Sequence, residues 1–147
     1  MDIKEQLLND MKIAMKEKDT VRKDAIQMVR AAILQYEKDN KAVLDDDGVI
    51  QIIAKEVKRY RDVLPDYEKG GRDDLISEVN RKIEVLMPYL PKQLTEEEIN
   101  DIVQQAINET GVSSMKEMGR LMAVVMPKTK GRCDGRVVNS IIKQILS

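Results

Sequence analysis

Histidine is absent from this sequence of 147 residues, and Cys133 is its single cysteine. Without an imidazole, no catalytic triad with histidine as the base can form. One cysteine cannot make an internal disulfide, and structural zinc sites need several cysteine or histidine ligands, so only carboxylates remain as metal ligands. We therefore expect no catalytic residue, no metal site and no cofactor in this chain.

Aromatic residues and long apolar runs are scarce as well. The sequence has no Phe or Trp and only four Tyr, while 42% of its residues are hydrophobic and 35% are charged. This composition is typical of a folded globular protein with an aliphatic, methionine-filled core between packed helices. No run of about 20 apolar residues is present and nothing near residue 1 resembles a signal peptide, so we expect a cytoplasmic protein without membrane contact.

Apolar residues recur at steps of three and four along most of the sequence, which is the pattern of amphipathic helices. Before residue 90 the pattern predicts four helices. The first covers residues 1–18, the second is capped by Asp19 or Thr20, and the third follows the acidic cluster Asp45-Asp46-Asp47-Gly48 and ends at Pro65. The fourth is capped near Asp73 and has Leu86 as its last apolar position. Four such helices with short connections predict an antiparallel bundle.

Pro88 and Pro91 predict a domain boundary, because two prolines three residues apart stop the fourth helix and stiffen the chain. We therefore expect an N-terminal helical bundle, residues 1–90, and a small C-terminal three-helix domain, residues 91–147. The first of its three predicted helices starts with a capping box at Thr95 and Glu98 and stops at Gly111. The second starts with a capping box at Ser114 and Glu117 and ends by Pro127. The third runs from Asp134 onward. The predicted fold class is all-α.

A loop rich in glycine and positive charge joins the last two predicted helices. It carries four basic residues within nine positions, and Asp134 is a candidate N-cap for the seventh helix. Free backbone N–H groups at such a helix start favour an anion, and glycines let a ligand approach the backbone. The pattern predicts a phosphate-binding or nucleic-acid-binding site made of Lys128, Lys130, Gly131, Arg132, Asp134, Gly135 and Arg136.

Charge is unevenly distributed, although the formal net charge is only −1. Residues 93–111 carry five acidic and no basic side chains, whereas residues 112–147 carry seven basic and two acidic ones. Runs of charge are often no more than a solvated surface, and this simpler interpretation stays open beside phosphate binding.

Three further features have structural interpretations that we favour. Gly119 in the sixth helix indicates close approach of the seventh helix, since glycine otherwise weakens a helix. Cys133 lies beside basic residues at a helix start, which lowers a thiol pKa, but it has no histidine or second cysteine to make it reactive. Tyr60, flanked by Lys58, Arg59 and Arg61, keeps the apolar spacing of the third helix, so packing is favoured over RNA binding.

Four stretches of the sequence carry a resemblance: Gly70-Gly71-Arg72-Asp73-Asp74-Leu75, Tyr89-Leu90-Pro91-Lys92-Gln93-Leu94 followed by Thr95-Glu96-Glu97-Glu98-Ile99, Met118-Gly119-Arg120-Leu121-Met122, and Lys130-Gly131-Arg132-Cys133-Asp134-Gly135 with Val138-Asn139. Through them the sequence resembles the YqeY proteins (GatB/YqeY domain proteins) along nearly its full length. Its last third is similar to the C-terminal tail of the B subunit of the tRNA-dependent Asp/Glu amidotransferase. Cys133 stands where the family more often has alanine.

The resemblance implies an all-helical protein with an N-terminal bundle and a small C-terminal helical domain. In the amidotransferase, the related tail engages tRNA, while a separate cradle domain performs phosphorylation and amide transfer. That cradle has no counterpart in this sequence. The carbon–nitrogen ligase activity with glutamine as amido-N-donor that labels the shared domain is therefore not expected from this chain alone.

Two functional hypotheses follow from the residues and the resemblance. The first is an accessory module that contacts tRNA or other RNA through the basic loop, with binding that weakens steeply as salt rises. The second is a protein-interaction module that docks onto a tRNA-amidotransferase or aminoacyl-tRNA synthetase assembly without touching nucleic acid. An enzyme supplying part of a transamidation site ranks last, because no constellation of carboxylates or lysines supports it.

Overall fold

The computed structural model describes residues 2–147, and within that range the secondary structure is entirely helical. The predicted all-α class is therefore confirmed. Seven α-helices cover most of the described chain, and short 3-10 turns follow α4 and precede α6. Their bounds are α1 Ile3–Lys16, α2 Thr20–Asn40, α3 Asp46–Lys69, α4 Asp73–Leu86, α5 Glu96–Thr110, α6 Met118–Thr129 and α7 Gly135–Leu146.

Most predicted helix ends are formed by the interactions that the sequence indicates. The Asp19 carboxylate accepts a hydrogen bond from the Arg22 N–H and caps α2, and Asp45 caps α3 in the same way through Gly48. Thr95 and Glu98 form the predicted capping box of α5, which ends at Gly111 in the left-handed conformation. The predicted start of the first helix at Met1 lies outside the described residues, and α1 begins at Ile3 with Asp2 as its cap.

Two prolines do not end helices where the sequence analysis expects them to. Helix α3 continues through Pro65 to Lys69, and α6 continues through Pro127 to Thr129. The missing N–H of Pro65 costs one backbone hydrogen bond, but the packing of α3 against α4 holds the helix together across it. After Pro127 the Lys130 N–H still donates to the Met126 carbonyl at 2.9 Å, which keeps the last turn closed.

Two of the predicted helix starts lack a capping hydrogen bond. Helix α4 follows Arg72, whose side chain makes no capping hydrogen bond, so Asp73 is the first helical residue rather than the cap. Arg72 instead pairs with Asp74 at 3.1 Å, which raises the pKa of the guanidinium and lowers that of the carboxyl. Ser114 makes no capping hydrogen bond either, because a 3-10 turn over residues 115–117 precedes α6.

The described chain divides into two compact units, one ending at Leu90 and one beginning at Pro91. In the N-terminal unit, α1 packs on α2, and α4 packs on both α2 and α3. In the C-terminal unit, α5 packs against α6 and α7. Each unit has its own aliphatic core: Leu7, Ala25, Ile26, Val29, Ile33, Val49, Ile53, Val57 and Leu86 in the first, and Ile99, Val103, Ala106, Val112, Leu121, Val125, Val138 and Ile142 in the second.

Candidate phosphate-binding surface

The loop between α6 and α7 is a tight turn held by backbone hydrogen bonds. The Arg132 N–H donates to the Thr129 carbonyl at 2.9 Å, and the buried Thr129 hydroxyl donates to the Val125 carbonyl at 3.2 Å. Gly131 turns the chain with a φ of +74°, a conformation that residues with a Cβ rarely adopt. Gly131 is buried and serves the turn itself, and the approach of a ligand to the backbone at the loop glycines stays a prediction.

This turn rests on residues 91–94, the segment that enters α5. The Leu94 N–H donates to the Arg132 carbonyl at 2.8 Å. The side-chain amide of Gln93 donates to the Gly131 carbonyl at 3.1 Å and to the Pro91 carbonyl at 3.0 Å. Two segments that are almost forty residues apart in sequence are therefore joined into one surface by main-chain and side-chain hydrogen bonds.

Arg132 lies between the two segments and uses its guanidinium within the protein. Its Nη1 donates to the Lys128 carbonyl at 3.3 Å, and its Nε makes a longer contact of 3.5 Å with the Lys92 carbonyl. These two contacts use one N–H of Nε and one of Nη1, so they fix the orientation of the guanidinium and leave its other N–H donors available to a phosphate. Among the four predicted basic residues, Arg132 is therefore the one with the clearest structural task.

Asp134 caps α7, as the sequence indicates. Its carboxylate accepts a hydrogen bond from the Arg136 N–H at 2.9 Å, and its other oxygen lies 3.6 Å from the Arg136 guanidinium. Gly135 begins the helix on the surface, where a Cβ would meet no atom within 4 Å. The helix start is thus open, but the Asp134 carboxylate already supplies the negative charge that such a position attracts, and it weakens the pull on a second anion.

Three exposed lysines remain as the positive groups best able to meet a ligand. Lys128 and Lys130 lie at the end of α6, and Lys92 lies on the facing segment. Among residues 2–147, none of the three forms an ion pair with an Asp or Glu side chain. Sequence reasoning included Lys128 and Lys130 but missed Lys92. Its presence in the Tyr-Leu-Pro-Lys-Gln-Leu stretch was the one available signal.

The acidic first turn of α5 lies beside these lysines. The Glu98 carboxylate accepts hydrogen bonds from Thr95 in the capping box, and these bonds lower the pKa of the Glu98 carboxyl. The positive charges of Lys92 and Arg132 lower this pKa further. The acidic first turn of α5 and the basic loop are therefore neighbours in space, although the sequence presents them as separate charged blocks.

The remaining candidates have structural explanations. Burial raises the pKa of the Cys133 thiol, with the Asp134 charge as a second cause. The Arg132 charge lowers this pKa as expected, but burial outweighs it, so the expected net lowering is wrong. A Cβ on Gly119 would meet no atom within 4 Å, so the expected close approach of another helix at this glycine is wrong too. Tyr60 packs against the core of its unit and has the Lys82 ammonium 5.8 Å from its ring centroid, which favours packing.

Within residues 2–147, no three or more acidic or cysteine side chains are arranged to hold a metal ion, and no helix is long and apolar enough to cross a membrane. The molecule described so far is an all-helical protein whose C-terminal unit carries a lysine-rich surface built from two paired segments. The model of the family described as Yqey-like protein matches residues 4–146. The chain therefore belongs to the YqeY family.

The chain is also similar to curated relatives of two kinds. It is 26% identical over 144 residues to "Altered inheritance of mitochondria protein 41, mitochondrial" of Pyrenophora tritici-repentis, covering 96% of this chain and 79% of that protein. The protein of the same name from Candida glabrata is 31% identical over 102 residues, covering 68% of this chain and 56% of the relative. A component of the glutamyl-tRNA(Gln) amidotransferase of Methanococcus maripaludis is 27% identical over 92 residues, which are 62% of this chain but 15% of that relative.

Proposed function

We propose that this chain is an accessory module that contacts tRNA or other RNA, with Lys92, Lys128 and Lys130 as the main phosphate-binding residues. The observation that carries the proposal is the pairing of the basic loop with residues 91–94 through Gln93 and Leu94. This pairing fixes the backbone around three exposed lysines, so less conformational entropy is lost when they bind. The turn and the helix start are formed by Gly131, Asp134, Gly135 and Arg136. Arg132 stabilises them through its hydrogen bonds to the Lys92 and Lys128 carbonyls.

The relatives support a connection with tRNA but not a particular activity. One kind of relative is named as a component of a glutamyl-tRNA(Gln) amidotransferase, so a similar segment occurs in a protein that acts on a tRNA substrate. Because the similarity covers 15% of that relative, we do not extend its amide transfer to this chain. We propose that carbon–nitrogen ligase activity is not intrinsic to this chain, which acts without a cofactor.

The finer architecture and the location are part of the same proposal. The packing of α4 on α2 and α3 and of α1 on α2 favours an antiparallel bundle, followed by a three-helix domain. We propose a cytoplasmic location. The fungal relatives carry the word mitochondrial in their names, so a mitochondrial location is the alternative. Imaging of the full-length chain in its own cell would decide between the two locations.

The direct test is a titration of total tRNA at two salt concentrations. The Lys92→Ala/Lys128→Ala/Lys130→Ala variant removes three exposed charges. It keeps Arg132 and the main-chain carbonyls of residues 92 and 128 to which Arg132 donates. The matched control replaces three other exposed lysines by alanine: Lys16, Lys38 and Lys143, in the last turns of α1, α2 and α7. The site variant should weaken binding and reduce the slope of log K against log salt by about two to three, whereas the control should change neither by much. Equal slopes for the two variants would contradict the proposed surface.

The second candidate is a protein-docking module, favoured by apolar side chains on the surface of the N-terminal unit. Met15 is 56% exposed, Met28 48% and Leu34 64%. A partner held by such residues would survive nuclease treatment and high salt, because neither removes apolar contacts. Retention of a tRNA-amidotransferase or aminoacyl-tRNA synthetase under both conditions, by the wild type and by the lysine variant alike, would favour this function over RNA contact.

A further inference from the structure

The C-terminal unit has no aromatic side chain. The four tyrosines, Tyr36, Tyr60, Tyr67 and Tyr89, all precede residue 91. Proteins that read single-stranded RNA stack its unpaired bases on aromatic rings or on the flat guanidinium of arginine. In this unit, stacking would therefore depend on arginine alone.

Each arginine of the unit already has a partner within the protein. Arg120 contacts the Glu117 carboxylate at 3.3 Å and the Thr110 carbonyl. Arg132 donates to the carbonyls of Lys128 and Lys92, and Arg136 lies 3.6 Å from the Asp134 carboxylate. These contacts are made by N–H groups at the edge of each guanidinium and hold it in place, but they leave its faces open. Stacking in this unit is thus limited to three arginine side chains, with no aromatic ring to add to them.

Exposed lysines supply most of the charge beside Arg132. The carbonyls of Lys92 and Lys128 both accept hydrogen bonds from the Arg132 guanidinium, so these two residues lie next to it, and Lys130 follows Lys128 at the turn. An ammonium group is a compact point charge that contacts phosphate without reading the base. The surface therefore offers clustered positive charge and few groups on which an unpaired base can stack.

We propose that this surface binds the sugar–phosphate backbone of a double-helical RNA stem, and not the bases of a single strand. This inference rests on the proposed RNA-contacting function and names the part of the RNA that is bound. A site whose attraction is electrostatic favours the polymer with the higher charge density, and a duplex carries two phosphate chains along one axis. Double-stranded RNA is in general recognised through its shape and backbone and with little regard to sequence.

The test compares three RNAs with the same number of nucleotides by fluorescence anisotropy at low salt. They are a hairpin with a long stem, a second hairpin with a rearranged stem sequence, and oligouridylate, which has no stem. Wild-type protein should bind the two hairpins with affinities within about twofold and bind oligouridylate at least about tenfold more weakly. The Lys92/Lys128/Lys130 variant should lose the preference for the hairpins, and the Lys16/Lys38/Lys143 control should keep it.

The outcomes separate this inference from the proposed function. If tRNA binding depends on the three lysines but oligouridylate binds as tightly as the hairpins, the stem inference is overturned and the RNA-contacting function stands. A difference of more than about tenfold between the two hairpins would also overturn the inference, because it would reveal base reading. If tRNA and hairpins fail to bind, or bind equally to the site variant and the wild type, the proposed function itself is overturned.

Discussion

The side-chain amide of Gln93 donates a hydrogen bond to the main-chain carbonyl of Gly131, 38 residues further along the chain, at a distance of 3.1 Å. The same Nε2 atom donates to the Pro91 carbonyl at 3.0 Å, so one amide group fixes both the entry into α5 and the turn before α7. The lysine surface depends on this pairing, because Lys92 lies on one of the two segments and Lys128 and Lys130 lie on the other.

Replacing Gln93 by alanine should loosen the turn. We expect the free energy of unfolding to fall by about 1 kcal/mol, the usual net value of such hydrogen bonds, and the Leu94 amide to exchange its proton faster. Denaturant unfolding and hydrogen exchange measure the two effects. Gln105→Ala, at an exposed position of α5, is the matched control. Unchanged protection of Leu94 in Gln93→Ala would show that the backbone hydrogen bond alone holds the segments together.

Two glycines of the C-terminal unit should respond in opposite directions to alanine. Gly119→Ala should stabilise the protein by about 1 kcal/mol, because a Cβ meets no neighbour there and alanine is the better helix former. Gly131→Ala should destabilise it by about 1 to 2 kcal/mol, because its φ of +74° disfavours a side chain. Thermal unfolding of both variants checks the signs. A loss of stability in Gly119→Ala would point to a packing role that the helix surface does not reveal.

The N-cap of α7 can be tested by changing the chemistry of Asp134. Asp134→Ala should cost about 1 kcal/mol, since the hydrogen bond to the Arg136 N–H is lost, while Asp134→Asn should cost much less because an amide oxygen also caps. Chemical denaturation of the two variants provides the comparison. Equal destabilisation by both would assign the stabilisation to the negative charge at the helix start and not to the capping hydrogen bond.

The pH dependence of stability should contain a contribution from Glu98. Hydrogen bonds from Thr95 lower the pKa of this carboxyl in the folded state, so its contribution is present above the pKa of the unfolded chain and is lost as pH falls through the folded pKa. The wild type should therefore be more stable than Glu98→Gln near about pH 6, and the difference should shrink towards about pH 3. Melting temperatures across this range test it, with Glu97→Gln, in the same turn, as control. A difference that is independent of pH would exclude the carboxylate as its source.

Cys133 should be a slow nucleophile. Because burial raises the pKa of its thiol and covers part of the side chain, alkylation by iodoacetamide at neutral pH should be slower than that of an exposed cysteine in a peptide. Mass spectrometry of timed samples measures the rate. Addition of denaturant should restore the peptide rate, and reaction at the peptide rate without denaturant would contradict the burial of this side chain.

Local signals in the sequence predicted much of the secondary structure. The caps at Asp19, Thr95 and Asp134 and the stop at Gly111 are confirmed, because each depends on a hydrogen bond or a backbone angle within a few residues. The stop at Pro65 is wrong for a tertiary reason. Proline weakens a helix locally, but the packing of α3 against α4 decides whether the helix continues.

The candidate site was only partly accessible to sequence reasoning, and its function stays a prediction. The sequence marks the basic loop because its charges and glycines are neighbours in the chain. It does not distinguish Arg132, which braces two segments, from Lys128 and Lys130, which face the solvent. It also treats Lys92 as an ordinary residue of a linker, since its proximity to the loop follows from hydrogen bonds across almost forty positions.

By itself, the sequence determined the helical class, the aliphatic cores and most helix ends, because periodicity and capping are contacts between residues three or four positions apart. Tertiary structure alone decided which segments meet. The pairing of Gln93 with Gly131, the engagement of Arg132 by the Lys92 and Lys128 carbonyls and the open surroundings of Gly119 depend on how α5, α6 and α7 pack. A helix periodicity specifies which face is buried but not which neighbour covers it, and that choice determines which positive charges remain on the surface.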